Sequence, residues 1–527
     1  MIQNPIISGF HPDPSICRVG DEYYIANSSF EFLPGVPLFK SNNLKDWKKI
    51  GHCIDRAEQM EFTDCQHNAG IFAPTLRYHN SRFYMITTNV CHEGAFAPGG
   101  SGNFIMTADS IEGPWSLPMW VSQGGIDPSL FWDDDGTCYL QSTMMAPDSI
   151  GSLKNAIFQA IIDPDTGVLL SESKIISFGG GGRFPEGPHI YKKDGFYYLL
   201  LAEGGTEFGH MVTIFRSKDI WGPYEACPKN PILTASQEND PYIAGIGHAD
   251  LIEDGKGNWW MVFLGYRMSE NYYHHMGRET AIAPVEWIDG WPLVNHGEVP
   301  GRFVDSRGQE QTEEVLKKEF TEFNNQKLDL EWNFFRTFFD GYSFTSRPGY
   351  FALFANGKTL NDKATPAFIG RRIDHFEFQS ETLIEYSGSE GTEAGLAIAH
   401  TPFAHMEFVI SYQNGKKIPL LRKRLFDMVT EEKGSELQEG NAYRLKIIGD
   451  RYTFQFILCD EEGNDLQCVG EGAVKLLSSE VVGGCIGTYI GLYASGNGKK
   501  SAEPAYYKWF SYEWLPEKPK KAMFFSD

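Results

Sequence analysis

The stretch DPSICRVGDEYYIANSS, residues 13–29, decides the fold, because altered copies of it recur along the chain. Each copy has a turn, an aliphatic residue, a polar hairpin turn and then a pair of residues that ends in an aromatic. The five copies start 60, 54, 59 and 62 residues apart. The other four are APTLRYHNSRFYMITTN from Ala73, DPSLFWDDDGTCYLQST from Asp127, EGPHIYKKDGFYYLLLAEGG from Glu186 and HADLIEDGKGNWWMVFLG from His248.

Each repeat has the size and turn content of one β-propeller blade. The segments VGDE, DDDG and KKDG, which precede the aromatic pairs, are typical of hairpin turns. A unit of about 55–60 residues with about four short strands corresponds to one blade. Five such units occupy residues 1–305. The sequence therefore predicts an all-β fold that begins with a five-bladed β-propeller.

The pattern changes after the Gly- and Pro-containing run NHGEVPGRFVDSRGQEQTEE, residues 295–314. Alternating stretches such as FVISYQ and YRLKIIGDRYTFQFIL follow, and the DPS unit does not return. This pattern is typical of a β-sandwich of the jelly-roll type, predicted over residues 320–517. The last residues, 518–527, are predicted to be a loosely held tail.

Composition argues against two classes of partner. The formal net charge is -23, from 46 basic and 69 acidic side chains. Such a charge repels nucleic acid and anionic membrane surfaces, so no nucleic-acid or membrane partner is expected. No apolar stretch approaches the ~18 residues of a membrane span, and the first twenty residues lack a signal-peptide pattern. Nine cysteines without C-x-x-C pairs indicate reduced thiols, no zinc and a cytoplasmic location.

Acidic side chains occupy several of the repeat starts. In a propeller the innermost strands face one axis, so equivalent positions at their starts ring one end of the central channel. These positions hold Asp13, Ala73, Asp127, His248 and, one place earlier in its repeat, Glu186. A single Asp-Pro-Ser is also explained as a turn capped by the aspartate side chain. Three carboxylates in one pocket raise one another's pKa, and this favours catalysis or cation binding over a structural role.

Other candidate residues keep a structural alternative. Arg278 in GRET either pairs with an inner carboxylate, grips a hydroxylated ligand or forms a surface ion pair. His248 is either a site residue or an ordinary hydrogen-bonding histidine. The run Asp133 to Asp135 is interpreted as a solvated hairpin tip rather than a metal cluster, and His274 and His275 as a loop.

Glycoside hydrolysis accounts for several carboxylates in a chain without phosphate loops or a Ser or Cys nucleophile. One carboxylic acid protonates the leaving oxygen, while a carboxylate activates water or attacks carbon. A third carboxylate nearby keeps the acid protonated near neutral pH. Phe30, Phe72 and Trp132 are candidates for contact with apolar sugar faces, with core packing as the alternative.

Four ordered motifs closely resemble glycoside hydrolase family 43, in particular its β-xylosidases and α-L-arabinofuranosidases. They are NPIISGFHPDPSICRVGDEYYIANSSFEFLPGVPLFKSNNLKDW, GGIDPSLFWDDDG, FPEGPHIYKKDGFYYLLLAEGGTEFGH and GRETAIAPVEW. The resemblance covers nearly the whole chain, including the C-terminal β-sandwich of the β-xylosidase branch. It implies a five-bladed propeller and single-displacement hydrolysis with inversion.

The resemblance also implies residue roles. Asp13 would be the general base, Glu186 the general acid, and Asp127 the residue that orients Glu186 and raises its pKa. Relatives commonly carry Trp where this chain has Phe72 in IFAP, so the hydrophobic wall of the sugar site is altered. No cofactor is required, with a Ca²⁺ ion on the propeller axis near His248 as the alternative. The residues implied to bind substrate are Phe30, Phe72, Thr206, His248 and Arg278.

These implications lead to a hypothesis of function. The chain is expected to be a xylan 1,4-β-xylosidase that releases xylose from the non-reducing ends of short β-1,4-xylo-oligosaccharides, which are small-molecule substrates. An α-L-arabinofuranosidase, as the sole or a second activity, is the alternative. A non-catalytic sugar-binding propeller is a remote one, because all three acids are present. A homo-oligomer is compatible with the sequence.

Overall fold

A computed structural model describes residues 1–63, 65–91, 100–269, 272–308, 317–324, 326–437, 440, 442–501, 503–518 and 520. The chain divides into two compact units. One comprises Met1–Arg267 and Arg278–Thr312, and the other Met268–Gly277 and Glu313–Asp527. Within the described residues, regular structure is nearly all β-strand, and the one α-helix, Ser479–Val482, is far too short to cross a membrane. Most of the predicted tail lies outside the described residues.

The first unit is a five-bladed β-propeller, which confirms the prediction from the repeats. Its blades are antiparallel sheets whose strands follow one another along the chain. The strand β1 (Ile2–Gln3) precedes blade I, which contains β2 (Ser15–Val19), β3 (Glu22–Ala26), β5 (Gly35–Ser41) and β6 (Lys48–Ile54), with β4 (Phe32–Leu33) between β3 and β5 along the chain. Blade II contains β7 (Thr75–His79), β8 (Arg82–Asn89), β9 (Gly102–Ala108) and β10 (Met119–Trp120).

The other three blades have the same antiparallel order. Blade III contains β11 (Ile126–Trp132), β12 (Cys138–Pro147), β13 (Leu153–Asp163), β14 (Val168–Leu169) and β15 (Lys174–Ser177). Blade IV contains β16 (Glu186–Lys193), β17 (Phe196–Glu203), β18 (Met211–Ser217), β19 (Glu225–Ala226) and β20 (Leu233–Thr234). Blade V contains β21 (Ala244–Glu253), β22 (Trp259–Tyr266), β23 (Glu279–Ile288) and β24 (Trp291–Val294), and β25 (Phe303–Val304) follows it.

The blades form a closed ring. Their first strands, β2, β7, β11, β16 and β21, contact one another in a cycle, β21 returning to β2. The N-terminal segment joins the two ends of the ring, because β1 pairs antiparallel with β25 and the backbone N–H of His11 donates to the carbonyl of Arg278 at 3.0 Å. This closure brings the start of the chain beside the strand that follows Arg278.

The aromatic pairs of the repeats pack between neighbouring blades. Tyr23 of blade I and Trp260 of blade V belong to one buried cluster. Tyr84, Tyr139 and Tyr198 belong to the clusters that join blades II and III, III and IV, and IV and V. Burying one such ring contributes about 2–3 kcal/mol. The repeated aromatic thus has a structural role, and it explains why the motif recurs in every blade.

The second unit is a β-sandwich, as predicted. Its strands are β26 (Lys318–Glu322), β27 (Asn333–Phe335), β28 (Tyr342–Ser343), β29 (Phe351–Leu353), β30 (Ala367–Arg372), β31 (Phe378–Glu385), β32 (Glu393–Thr401), β33 (Ala404–Gln413), β34 (Lys416–Leu425), β35 (Met428–Lys433), β36 (Ala442–Gly449), β37 (Thr453–Cys459), β38 (Asp465–Ala473), β39 (Tyr489–Ser495) and β40 (Ala505–Trp514). One sheet has the order β28-β29-β40-β31-β36-β37-β38, with β26 beside β40, and the other has the order β35-β34-β33-β32-β39-β30-β27. Alternate residues of these strands, such as Leu396, Ile398 and Leu445, fill the core between the sheets.

The segment Met268–Gly277 groups with the second unit although the chain places it between two strands of blade V. The carbonyl of His275 accepts hydrogen bonds from the backbone N–H and the hydroxyl of Thr488, at 2.9 and 2.7 Å. The imidazole of His274 pairs with Glu480. A domain boundary at residues 305–320 did not predict this excursion, because its partners lie about 200 residues away in sequence.

One pair of cysteines differs from the sequence-based expectation. Cys65 and Cys91 are joined as a disulfide, with their Cα atoms 4.9 Å apart. The expectation that all nine cysteines are reduced is therefore wrong for this pair. The two cysteines are 26 residues apart and belong to no short cysteine motif, so their spacing did not predict the pairing.

Candidate active site

Three repeat starts share an unusual backbone conformation. Asp13, Asp127 and His248 have φ angles of 54°, 52° and 43°. Non-glycine residues rarely adopt this left-handed region, and the surrounding structure must hold them there, as it does in tight turns and at active sites. Asp13 precedes β2, Asp127 is the second residue of β11, and His248 lies at a register shift within β21. The shared turn explains why Asp-Pro-Ser recurs.

Glycine explains the offset of the acidic residue in blade IV. Gly187, not Glu186, occupies the position equivalent to Asp13, and its φ is 57°. A Cβ atom on Gly187 would lie 3.1 Å from Cε1 of His248. The imidazole of His248 occupies the space that a side chain on Gly187 would need, so the carboxylate of blade IV comes from the preceding residue, Glu186.

Asp13 is a buried carboxylate held by a cation. Nη1 of Arg278 donates to its Oδ1 at 3.0 Å, and the hydroxyl of Ser28 donates to its Oδ2. Nδ1 of His248 lies 3.9 Å from Oδ1. Burial acts to raise the pKa of Asp13, but Arg278, His248 and the Ser28 hydroxyl outweigh it and leave the pKa below its ordinary value. Asp13 is therefore ionised at neutral pH.

Asp127 and Glu186 have the opposite electrostatic character. Burial, opposed by the Asn155 hydrogen bond and assisted by the charge of Asp13, raises the pKa of Glu186 to about 7. Burial also raises the pKa of Asp127, with further contributions from Glu186 and Asp13. Asp127 accepts the backbone N–H of Gly187 at 3.1 Å, which stabilises its charged form. Asp127 and Glu186 therefore both hold a proton more readily near neutral pH than a free carboxyl does, whereas Asp13 does not.

Aromatic and polar groups border the carboxylates. The rings of Phe30 and Phe72 lie 4.9 Å apart, and the guanidinium of Arg278 lies 5.6 Å from the ring of Phe30. Nη1 of Arg278 also donates to the hydroxyl of Thr206 at 3.1 Å. Phe30 is buried, whereas Phe72 and Thr206 are partly exposed. Phe72 is therefore the face of this aromatic pair that a ligand can reach.

Two other candidates have structural roles. Trp132 stacks on His79, with ring centroids 4.7 Å apart, and packs with the cluster between blades II and III. The backbone N–H of Asp133 donates to Thr137 at 3.0 Å across the β11–β12 hairpin. No group of three or more His, Cys, Asp or Glu side chains placed to hold a metal occurs among the residues that the structure describes.

Sequence reasoning missed three residues at the site. Ser28 bonds to Asp13, and Nδ2 of Asn155 donates to Oε1 of Glu186 at 2.9 Å. The buried imidazole of His210 contributes to lowering the pKa of Asp13. Ser28 and His210 lie inside the quoted motifs NSSFEF and TEFGH, but Asn155 comes from an ordinary strand, β13, and nothing in its surroundings in the sequence indicates a role.

Comparison with known proteins agrees with this geometry. Residues 2–292 match the family described as glycosyl hydrolases family 43, and residues 321–513 match the one described as beta xylosidase C-terminal Concanavalin A-like domain. A Bacteroides ovatus protein named non-reducing end alpha-L-arabinofuranosidase BoGH43B is 37% identical over 97% of this chain and 95% of its own. A Butyrivibrio fibrisolvens protein named xylosidase/arabinosidase is 36% identical over 97% of this chain and 99% of its own.

A solved structure extends the likeness to three dimensions. The crystal structure of xylan beta-1,4-xylosidase from Bacillus halodurans C-125 superposes with a TM-score of 0.91 at 34% identity and covers 98% of this chain and 100% of that one. The family match spans more than half of the chain, and the carboxylates described above lie within it. The chain is a glycosidase and belongs to glycosyl hydrolase family 43.

Proposed function

We propose that the protein is an inverting, exo-acting β-xylosidase that releases xylose from the non-reducing ends of short β-1,4-xylo-oligosaccharides. The observation that carries the proposal is the contrast between Asp13, whose pKa is lowered, and Glu186, whose pKa is raised to about 7 by burial and by the charge of Asp13. A base and an acid with pKa values moved apart are what single-displacement glycoside hydrolysis requires.

Asp13 is the general base in this proposal. Its carboxylate is kept charged by Arg278 and held by Ser28, so it can accept a proton from water as the oxygen attacks the anomeric carbon. Water adds on the face opposite the leaving group, and the configuration at that carbon is inverted.

Glu186 is the general acid. It donates its proton to the glycosidic oxygen while the bond to the anomeric carbon breaks. The charge of Glu186 contributes to the raised pKa of Asp127, so the two carboxyls interact electrostatically. In this proposal Asp127 orients Glu186 and helps to keep it protonated. Partial exposure of Glu186 is suited to a group that must reach the leaving oxygen.

Phe72 and Arg278 are the proposed sugar contacts. The partly exposed ring of Phe72 offers an apolar face to a pyranose ring. Arg278 donates to Asp13 and Thr206, which places its guanidinium, a group suited to bind hydroxyls, beside the general base. Phe30 packs against both the ring of Phe72 and the guanidinium of Arg278, and His248 lies beside Asp13.

An α-L-arabinofuranosidase is the second candidate. The relatives named arabinofuranosidase and xylosidase/arabinosidase support it as a side activity or as the main one. The carboxylate chemistry is the same for both sugars, so the choice depends on the shape of the wall around Phe72.

A paired assay with NMR detection tests the proposal. We expect 4-nitrophenyl β-D-xyloside to be hydrolysed faster than 4-nitrophenyl α-L-arabinofuranoside, with α-xylose as the first anomer released from the xyloside. Faster cleavage of the arabinofuranoside would select the second candidate. Release of β-xylose first would contradict inversion, and tight binding of xylobiose without hydrolysis would contradict catalysis altogether.

Asn155 offers a separate test of the general acid. Its amide lowers the pKa of Glu186, so Asn155→Ala should raise that pKa. Activity requires protonated Glu186 and is lost as pH rises through its pKa, so the alkaline limb of kcat/KM should move up by about 0.5–1 pH unit, the equivalent of one hydrogen bond. The control is Lys154→Ala, because the neighbouring lysine is 59% exposed and pairs with Asp148. An alkaline limb at the wild-type pH in Asn155→Ala would show that Asn155 does not influence the pKa of the general acid.

A further inference from the structure

A second set of polar side chains lies on the innermost strands, two residues beyond Asp13 and the positions equivalent to it in the other blades, which include Gly187 in blade IV. One residue from every blade occupies this position: Ser15, Thr75, Ser129, His189 and Asp250. Arg77, two residues after Thr75 on β7, bonds to three of them. We call Arg77, Ser15, Ser129, His189, Tyr191 and Asp250 the axial cluster.

Arg77 bonds directly to side chains of three blades other than its own. Its Nη1 donates to Oδ2 of Asp250 at 2.8 Å and to the hydroxyl of Ser15 at 3.1 Å. Its Nη2 donates to Nδ1 of His189 at 3.0 Å. The hydroxyl of Ser129 in blade III bonds to the same nitrogen at 2.9 Å. A side chain from blade II therefore ties blades I, IV and V directly and blade III through His189.

Asp250 is the anionic partner of this cation and has no exposed surface. Its Oδ2 accepts the hydroxyl of Ser15 and the backbone N–H of Ile16, at 2.9 and 3.0 Å. Its Oδ1 accepts the hydroxyl of Tyr191 at 2.5 Å and the N–H of the next residue at 3.0 Å. Burial opposes the charge, yet Arg77 and these donors hold the pKa of Asp250 well below its ordinary value.

The axial residues do not fit a calcium ion. Calcium requires six to eight oxygen ligands with free lone pairs. Both oxygens of Asp250 already accept N–H or O–H donors, and those of Asp13 accept Arg278 and Ser28. Burial lowers the pKa of His189 to about 3, so its Nδ1 is a neutral acceptor occupied by Arg77. The Ca²⁺ ion expected near His248 therefore has no ligand set in the part of the chain that the structure describes.

We propose that the guanidinium of Arg77 is the built-in cation of the propeller axis and that, through the axial cluster, it positions the catalytic carboxylates without a metal ion. Ser15, Ser129 and Asp250 lie on the innermost strands of their blades, each two residues after Asp13, Asp127 or His248. The hydrogen bonds of Arg77 fix the positions of these strands relative to one another, and therefore the positions of the side chains two residues earlier. A displacement of about 1 Å at a reacting group can lower a rate by about 10²-fold. Arg77 is in this sense a positioning residue.

The first test measures metal dependence. The proposal rests on glycosidase activity and not on the choice between xylose and arabinose, so the assay uses whichever nitrophenyl glycoside the wild type cleaves faster. We expect a chelator and added CaCl₂ to leave kcat and KM unchanged, and calorimetry with CaCl₂ to give no binding isotherm. Loss of activity on chelation with recovery on adding calcium would overturn the proposal.

The second test removes the cation. We expect Arg77→Met to lower kcat by about 10- to 100-fold with KM changed by less than about 3-fold, because positioning affects the transition state more than ground-state binding. Arg82→Met is the matched control, since Arg82 lies on the next strand of the same blade with its side chain 43% exposed, and it should behave like the wild type. A wild-type kcat in Arg77→Met would overturn the proposal.

Arg77→Lys carries the test if the methionine variant does not fold. Lysine keeps the charge but lacks the planar fork through which Arg77 bonds to Asp250 and His189. We expect a folded enzyme with a kcat reduced by about 3- to 10-fold and unaltered KM, which is intermediate between the wild type and Arg77→Met. A lysine variant with an unchanged kcat would show that the planar guanidinium of Arg77 does not position the catalytic carboxylates. Failure of the wild type to cleave either glycoside would instead count against the proposed function.

Discussion

Replacing Asp13 by asparagine is expected to lower kcat by about 10³- to 10⁴-fold, because the group that removes a proton from water is lost. The amide has the size of the carboxylate and keeps an oxygen for Arg278, so the site should retain its shape. KM is expected to change by less than about 3-fold, since the substituted atom acts on water rather than on the bound sugar. Steady-state kinetics on xylobiose measure both quantities.

The control for this prediction is Asp21→Asn, in the exposed hairpin turn of the same blade. That variant should keep the wild-type kcat. Thermal unfolding of Asp13→Asn checks that the propeller remains folded. A kcat within about tenfold of the wild type would remove Asp13 from the role of base, because general-base catalysis is worth more than that.

Replacing Glu186 by glutamine is expected to have an effect that depends on the leaving group. On xylobiose, whose leaving alcohol must be protonated, kcat/KM should fall by about 10³- to 10⁴-fold. On 2,4-dinitrophenyl β-xyloside the fall should be less than about tenfold, because this phenolate departs without a proton. The wild-type activity falls as pH rises through the raised pKa of Glu186, about 7, and the variant should lack this alkaline limb.

The leaving-group contrast separates acid catalysis from damage to the fold. A misfolded site would lose activity on both substrates alike. Glu172→Gln, at an exposed residue of blade III, is the matched control and should leave both rates unchanged. Equal losses on the two substrates, or an alkaline limb that persists in Glu186→Gln, would assign the proton to another group.

The propeller could be predicted because every blade has the same packing and turn requirements, which produce the same sequence pattern. Each blade must bury an aromatic against its neighbour and turn tightly at the channel, so residues such as Tyr23, Tyr139 and Trp260 recur at fixed places. The sandwich was predictable from alternation alone, since its strands bury one face. The excursion of Met268–Gly277 into the second unit was not, because it depends on hydrogen bonds that no local pattern encodes.

At the candidate site the sequence predicted which residues meet but not what holds them. Repeat position was enough to bring Asp13 and Asp127 to the same turn, with φ angles within 2° of each other. Spacing could not explain the displacement of Glu186, which follows from the imidazole of His248 lying against Gly187. The contact of Asn155 with Glu186 could not be predicted, because a single asparagine on a strand has no sequence feature that distinguishes it from a surface residue.

The sequence by itself determined the all-β class, the five blades, the sandwich and the set of three acids, because each is written as a periodic or repeated pattern. Only the tertiary structure decided the charge states of those acids. Arg278 reaches Asp13 across 265 residues, Asn155 reaches Glu186 across 31, and Arg77 reaches Asp250 across 173. A pKa is determined by burial and by neighbours in space, and ring closure, rather than order along the chain, selects those neighbours.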